Sequence, residues 1–89
     1  MHEMSVAMEI CRMAEERLGT VGSGRLRLVG LQVGDDAGLE PGNLAFCLDA
    51  MLSHPPFGAA RSELTRCAGD VLRLDFLEVD DEHPDDRRA

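Results

Sequence analysis

The first three residues, Met1, His2 and Glu3, bring together groups that can bind a transition metal. A free amine on Met1, the backbone amide of His2 and the His2 imidazole can close two fused chelate rings around one ion. Once the amide loses its proton, these three nitrogens lie roughly in a plane, and planar nitrogen coordination is what Ni(II) and Cu(II) favour. The side chain of Glu3, a solvent molecule or a group from a partner could occupy the fourth position. Because His2 is bulky, we expect Met1 to be retained after synthesis.

Each of these residues also has a structural interpretation that needs no metal. An acid such as Glu3 at the start of a helix complements the helix dipole. Most histidines at position two have no function of their own, so a metal role for His2 needs further support. Three methionines, Met4, Met8 and Met13, follow helical spacing, which favours core packing, with copper binding through their thioethers as the alternative.

The remaining composition argues against catalysis and against nucleic-acid binding. No serine or cysteine has an evident histidine and acid partner, and no glycine-rich phosphate loop leads into a helix. The chain carries 17 acidic residues against nine basic residues, all of them arginine, for a net charge of −8. Such a surface repels phosphate backbones. It suits solubility, a cation or a basic partner face. We therefore expect a protein that is not an enzyme.

The cysteines and the apolar pattern indicate a cytoplasmic protein of one small domain. Cys11, Cys47 and Cys67 are odd in number and have no paired spacing, and we expect the first two in the core. No apolar run approaches the roughly 18 residues of a membrane span, and the charged first helix is unlike a secretory signal. We expect no membrane association.

Two amphipathic helices are predicted. The first covers residues 4–18 and ends at Gly19. Its apolar stripe consists of Met4, Ala7, Met8, Cys11, Ala14 and Leu18, with Val6 and Ile10 beside it. The second begins at Glu40-Pro41 and runs to about residue 53, because proline is tolerated in the first turn of a helix. Its expected buried residues are Leu44, either Phe46 or Cys47, Leu48, Met51 and Leu52.

Three strands are predicted over residues 25–33, 60–66 and 71–79. In the first, Leu26, Leu28 and Gly30 should share a face. In the last, the shared face should contain Leu72, Leu74 and Phe76. The link at 67–70 is short enough for a hairpin between the last two strands. The prediction is an α+β fold of order α-β-α-β-β, with two helices on one face of a three-stranded sheet. Residues 1–79 form this domain, and residues 80–89 form an acidic tail.

Several segments together resemble the hydrogenase nickel-incorporation (HypA/HybF) family. The opening Met1-His2-Glu3-Met4-Ser5 is similar to the start of that family. The stretch 25–34, followed by Gly38-Leu39-Glu40-Pro41, is similar to its first strand, turn and second helix. The stretch 69–79 is similar to its last strand. Each segment alone is weakly specific, but their order and spacing together identify the family.

The resemblance implies a nickel site and a missing zinc module. In the family, the amino terminus and the histidine at position two carry nickel, and an acidic residue matching Glu40 is tied to the same site. The implied metal residues are therefore Met1, His2, Glu3 and Glu40. The family also has two CxxC pairs that ligate zinc, inserted where this chain runs directly from Leu64 to Gly69. One thiolate, Cys67, cannot supply the four ligands of a zinc site, so we expect no zinc.

The resemblance also implies a function and partners. The expected function is a nickel metallochaperone in [NiFe] hydrogenase maturation, which holds Ni(II) transiently for transfer to the hydrogenase large subunit. A nickel-delivery GTPase is a second expected partner, and a homodimer formed through an open sheet edge is a further option. The alternative is an assembly factor or accessory subunit of a hydrogenase complex that binds no metal.

Overall fold

The computed structural model describes residues 2–80, which form two helices and three strands in the predicted order α-β-α-β-β. Their bounds are α1 Glu3–Gly24, β1 Leu26–Gly34, α2 Pro41–Leu52, β2 Arg61–Cys67 and β3 Leu72–Val79. The predicted fold class is confirmed. The predicted tail lies outside the described residues except for Asp80, whose N–H donates to the Arg25 carbonyl at 2.7 Å. Within residues 2–80, neither helix is long and apolar enough to cross a membrane.

The sheet has the order β2-β1-β3, so β1 is its central strand. It pairs parallel with β2 and antiparallel with β3. The predicted hairpin between the last two strands is therefore wrong. The link 68–71 instead crosses the end of β1, which requires it to span two strand spacings of about 4.8 Å each. A link of this length can either form a hairpin between β2 and β3 or cross the end of β1. Its length therefore could not distinguish the two topologies.

The first helix packs against both the sheet and α2. The residues that it buries therefore differ from those of the predicted apolar stripe. Val6 and Ile10 lie beside Leu31 of β1, while Cys11 lies beside Met51 of α2. The buried apolar residues of α1 are Val6, Ala7, Ile10, Cys11 and Ala14. Met4 and Met8, predicted in the core, are about half exposed (49% and 56%). The stripe prediction is wrong for these two because it assumed one packing surface.

Gly19 interrupts α1 as predicted, but the helix continues beyond this residue. Its φ of 71° and ψ of −179° break the helical run, after which helical structure resumes up to Gly24. Glycine adopts this positive φ without the steric penalty that a side chain brings. The prediction that the first helix ends at Gly19 is therefore wrong, whereas the predicted interruption at this residue is confirmed.

Two irregularities in the β1–β3 ladder decide which side chains face the helices. The register shifts between Leu26 and Leu28 and again between Gly30 and Leu31, where Asp75 has no partner on β1. A bulge of this kind places an extra residue on one strand and reverses the face of the residues beyond it. The helix-facing pairs are consequently Val29 with Leu77, Leu31 with Leu74 and Val33 with Leu72.

Phe76 therefore lies on the opposite face from Leu72 and Leu74, and the prediction that the three share a face is wrong. Its ring covers Gly30, since a Cβ built on Gly30 would lie 2.1 Å from the ring. The prediction that Leu28 and Gly30 lie on the face of Leu26 is also wrong, because the buried run of β1 continues instead through Val29, Leu31 and Val33.

The second helix covers the other half of the sheet. Its buried residues are Leu44, Cys47, Leu48 and Leu52. The alternative left open between Phe46 and Cys47 is settled in favour of Cys47, because Phe46 is 73% exposed. Asp49 ties α2 to β2, since its carboxylate accepts bonds from the N–H and hydroxyl of Ser62 at 2.7 and 2.8 Å.

Candidate metal site

Glu3 joins the start of α1 to the start of α2. One carboxylate oxygen accepts the backbone N–H of Glu40 at 2.9 Å, and the other accepts the side-chain amide of Asn43 at 3.0 Å. These residues are 37 and 40 positions away in sequence. The structure therefore places Glu3 and Glu40, two of the predicted site residues, side by side. The start of α1 therefore lies against the first turn of α2.

Glu40 is the N-cap of α2, and its carboxylate is directed at the helix it caps. Its oxygens accept the backbone N–H groups of Gly42 at 3.2 Å and Asn43 at 2.6 Å. These N–H groups have no partner within the helix, and Pro41 between them and the cap has no N–H to satisfy. In a capping box, the third helical residue returns a bond to the cap N–H. Here Glu3 of the other helix supplies that bond.

The two carboxylates also place negative charge at the positive end of the α2 dipole. The pKa of Glu3 is held below its ordinary value of 4.5, mainly by the Glu40 N–H, and further by its own backbone N–H and by the amide of Asn43. Glu3 is consequently ionised at neutral pH. This charge lies one residue from His2.

Replacing Glu3 with glutamine should destabilise the fold in a pH-dependent way. Because the folded-state pKa of Glu3 is depressed, its stabilising contribution is present above the unfolded-state pKa and is lost as pH falls through the folded value. We expect a lower urea midpoint for Glu3→Gln at neutral pH, and convergence with the wild type in acid, below the ordinary pKa of 4.5. Glu63→Gln, at an exposed position of β2, is the matched control and should change little. A neutral-pH difference no larger than the control would contradict this role of Glu3.

His2 is exposed and is the N-cap of α1 in an extended conformation (φ −88°, ψ 136°). Its side chain makes no capping hydrogen bond. The ladder of α1 begins with the Val6 N–H donating to the His2 carbonyl at 3.2 Å, so the helix does not use the N–H of His2. A metal could therefore replace the proton on this amide without breaking a helical hydrogen bond.

Met1, the remaining predicted site residue, lies outside the described residues. Within residues 2–80, no three side chains of His, Cys, Asp or Glu are grouped so that they could hold a metal ion. Side chains of residues 2–80 thus do not by themselves form a complete set of metal ligands. Metal binding at this end of the molecule would depend on main-chain nitrogen together with the His2 imidazole.

Sequence reasoning missed Asn43. Its backbone N–H binds Glu40 and its side chain binds Glu3, so it links both carboxylates. A signal was present, because Glu40-Pro41-Gly42-Asn43 has the pattern of a capped helix start, in which the third helical residue often returns a side-chain contact. What the pattern lacks is any sign that the contact goes to Glu3.

The link between β2 and β3 is held by backbone hydrogen bonds across the end of β1. The N–H groups of Gly34, Asp35 and Asp36 donate to the carbonyls of Val71, Cys67 and Gly69 at 2.6, 2.8 and 2.9 Å. Cys67, the last residue of β2, is a half-buried free thiol. These main-chain bonds hold the link against the end of β1.

We expect the chain to fold without zinc, so that a chelator leaves its thermal stability unchanged. In small domains that depend on zinc, metal binding supplies folding energy and chelators cause unfolding. Purified protein should contain no stoichiometric zinc, and its melting temperature should not move when EDTA is added. One tightly held zinc per chain, with a fall in melting temperature on chelation, would contradict the expectation.

Comparison with known proteins identifies relatives of this chain in sequence and in fold. Residues 1–72 match the family model described as "hydrogenase/urease nickel incorporation, metallochaperone, hypA". The hydrogenase maturation factor HypA of Chlorobium limicola is 42% identical over 50 residues, which cover 56% of this chain and 43% of that protein. HypA of Azotobacter chroococcum is 33% identical over 69 residues, covering 78% and 61%.

The chain belongs to the HypA family, because the family model matches most of its length. It spans about half the length of the curated relatives it matches. The solution structure of the Ni metallochaperone HypA from Helicobacter pylori has the same fold, with a TM-score of 0.70 over 89% of this chain and 97% of that one. Their sequences are 13% identical, so this likeness concerns the fold alone.

Proposed function

We propose that this chain is a nickel metallochaperone-like factor that holds Ni(II) at its amino terminus for delivery to the large subunit of a [NiFe] hydrogenase. The ligands are the Met1 amine, the His2 amide nitrogen and the His2 imidazole. The observation that carries the proposal is the state of His2, which is exposed, is free of capping bonds and has an N–H that the helix does not use. Family membership supports nickel as the cargo.

The contact between Glu3 and Glu40 holds the start of α1 against the start of α2. Since Glu3 is bonded to Glu40 and Asn43, the residue before it is held close to the start of α2. The positive end of the helix dipole would repel a cation there, and the two carboxylates offset that repulsion. In this proposal, Glu3 and Glu40 contribute to the site through position and charge. The fourth coordination position is left to water or to a group on the acceptor.

Exposure of the site suits transfer. An ion held at the edge of the protein by three nitrogens can exchange ligands with an acceptor without unfolding of the carrier, because α1 begins its hydrogen bonding at Val6. We further propose that the chain acts in the cytoplasm, performs no catalysis of its own and receives nickel from a GTPase partner.

The test is complementation of a hydrogenase-producing bacterium from which the resident HypA gene has been deleted. The wild-type chain with its own amino terminus should restore hydrogenase activity and nickel in the large subunit. His2→Ala, expressed to the same level, should restore neither. Equal restoration by both would favour the alternative of an assembly factor that binds no metal.

A further inference from the structure

The flank of α1 and the last strand of the sheet enclose an apolar groove on the helix-bearing side of the molecule. Its volume is about 370 Å³, which lies within the range of pockets that bind ligands. The apolar side chains that line it are Val6, Ile10 and Met13 of α1, Leu31 of β1, and Leu72 and Leu74 of β3. None of them is a proposed nickel ligand, so the groove is a feature separate from the site at the amino terminus.

The groove exists because the two helices leave part of the sheet uncovered. The second helix lies on the β2 side, where Asp49 of α2 accepts hydrogen bonds from Ser62. The first helix lies over β1, where Leu31 is buried. On β3, in contrast, Leu72 is 40% exposed and Leu74 is only partly buried, although both face the helices. The helix layer therefore ends before the edge of the sheet that β3 forms.

The uncovered surface has the form that a further helix would cover. One wall is the flank of a helix and the other is the inner face of a strand, so an occupant must pack against both. Helices that pack side by side have axes about 8–10 Å apart, and a helix at this distance from α1 lies along β3, against Leu72 and Leu74. An amphipathic helix presents apolar residues at positions i, i+3, i+4 and i+7 to a groove of this kind.

The charged residues along the groove are mainly acidic. Glu9 lines the groove, and Glu16 lies two turns further on the same side of α1. Asp70 and Asp75, both exposed, flank the two leucines of β3 in the sequence. Such a border attracts a cationic partner and repels an anionic one.

The arginines near the groove do not offset this acidic border. Arg12 donates to the carboxylates of both Glu9 and Glu16, so its charge is already shared between them. Arg73 lies on the opposite face of the sheet, where it donates to Gln32 at 2.6 Å. Arg17 is exposed one turn beyond Met13, past the last residue of α1 that lines the groove.

Charge also separates the possible occupants of the groove. The tail of the chain contains four acidic residues, Asp81, Glu82, Asp85 and Asp86, against two arginines. A second copy of the chain has the same acidic border and a net charge of −8. The groove would repel both of these occupants, whereas it would attract a partner in which basic residues accompany an apolar helix face.

We infer that the groove docks a basic amphipathic helix of a partner protein. Its apolar face packs against Met13, Leu72 and Leu74, and its lysine or arginine side chains lie near Glu9. The groove begins at Ser5, three residues after His2, so the docked partner lies beside the amino terminus. Docking itself requires no nickel, and the inference therefore goes beyond the proposed function.

A synthetic peptide of about 15 residues, with leucine on one helical face and lysine on the other, tests the groove. One control peptide has glutamate in place of every lysine, and a second has the same composition in an order that breaks the helical spacing. At physiological ionic strength, where the Debye length is about 8 Å, calorimetric titration should show that the leucine–lysine helix binds at least about tenfold tighter than either control. In NMR spectra of isotope-labelled protein, the amide signals of the residues that line the groove should shift most.

Variants of the chain locate the binding surface. Leu72→Gln and Met13→Gln should each weaken binding of the leucine–lysine peptide by roughly tenfold, because each removes apolar contact from one wall. Since they lie on different elements, a folding defect in one leaves the other as a test. Phe46→Gln is the matched control, because Phe46 is 73% exposed on α2 and lies outside the groove. Glu9→Gln should weaken binding about threefold, whereas Glu63→Gln on β2 should not.

Three results of these titrations would overturn the proposal. The first is equal binding of the glutamate peptide, and the second is binding by both groove variants as tight as that of Phe46→Gln. The third is a set of NMR shifts centred on another surface. Shifts of the groove residues that grow with protein concentration in the absence of peptide would also overturn it, because a second copy would then occupy the groove.

Discussion

Replacing His2 with alanine should lower the affinity for Ni(II) by at least about 100-fold. Changes to groups that merely orient metal ligands already lower affinity by about 10–100-fold, and this substitution removes a proposed ligand outright. It also removes the second chelate ring, which leaves only the amine and one amide. The fold should be unaffected, because the side chain of His2 is exposed and makes no capping hydrogen bond.

His54→Ala is the matched control for this titration. His54 is also exposed, and its Nδ1 lies 2.9 Å from the Ala50 carbonyl at the end of α2, far along the chain from Met1. Isothermal titration of protein without a purification tag should give nearly the same Ni(II) affinity for His54→Ala and wild type. If His2→Ala binds as tightly as this control, the nickel site lies elsewhere.

Replacing Gly34 with alanine should destabilise the protein by about 3 kcal/mol or more, at the upper end of the usual overpacking range. A Cβ at this position would lie 2.0 Å from the Gly69 carbonyl oxygen and 2.6 Å from the Val71 nitrogen. Both are backbone atoms, so relief requires moving the link that crosses β1. That movement would break the bond from the Gly34 N–H to the Val71 carbonyl. Urea denaturation measures the loss.

Gly24→Ala provides the comparison for Gly34. At Gly24 an added Cβ would meet only the Pro56 carbonyl, at an ordinary 3.7 Å. We therefore expect a change within about 0.5 kcal/mol, as for most surface substitutions. Equal effects of the two substitutions would show that the link does not press on β1, and that the crossover from β2 to β3 is misplaced.

Much of the fold could be predicted because its elements have clear local patterns. Helical spacing, the break at Gly19 and the Glu40-Pro41 helix start each depend on nearby residues. Strand adjacency does not, and the hairpin prediction failed for that reason. The bulge at Asp75 has no local signal either, since it arises from pairing with β1. It moved Phe76 to the other face.

In the candidate site, too, residue types could be predicted from the sequence, whereas long-range contacts could not. His2 and Glu3 could be singled out from residue type and position, and Glu40 from the family resemblance. The contact between Glu3 and the Glu40 N–H joins residues 37 positions apart, and no periodicity encodes it. Exposure of Met4 and Met8 was also unpredictable, because it results from the packing of α1 against two surfaces at once.

The most direct test of the amino-terminal nickel site is Ni(II) binding by protein whose amino terminus is Met1, compared with protein extended by Gly-Ser. Two added residues are needed, because a single one would place the histidine third and create a different planar nitrogen site. The extension retains His2, Glu3 and Glu40 but moves the free amine away. We predict tight binding and the visible absorption of planar Ni(II) for the unextended protein at slightly alkaline pH, and loss of both on extension. Equal affinity and the same absorption in the extended protein would contradict a site built on the Met1 amine.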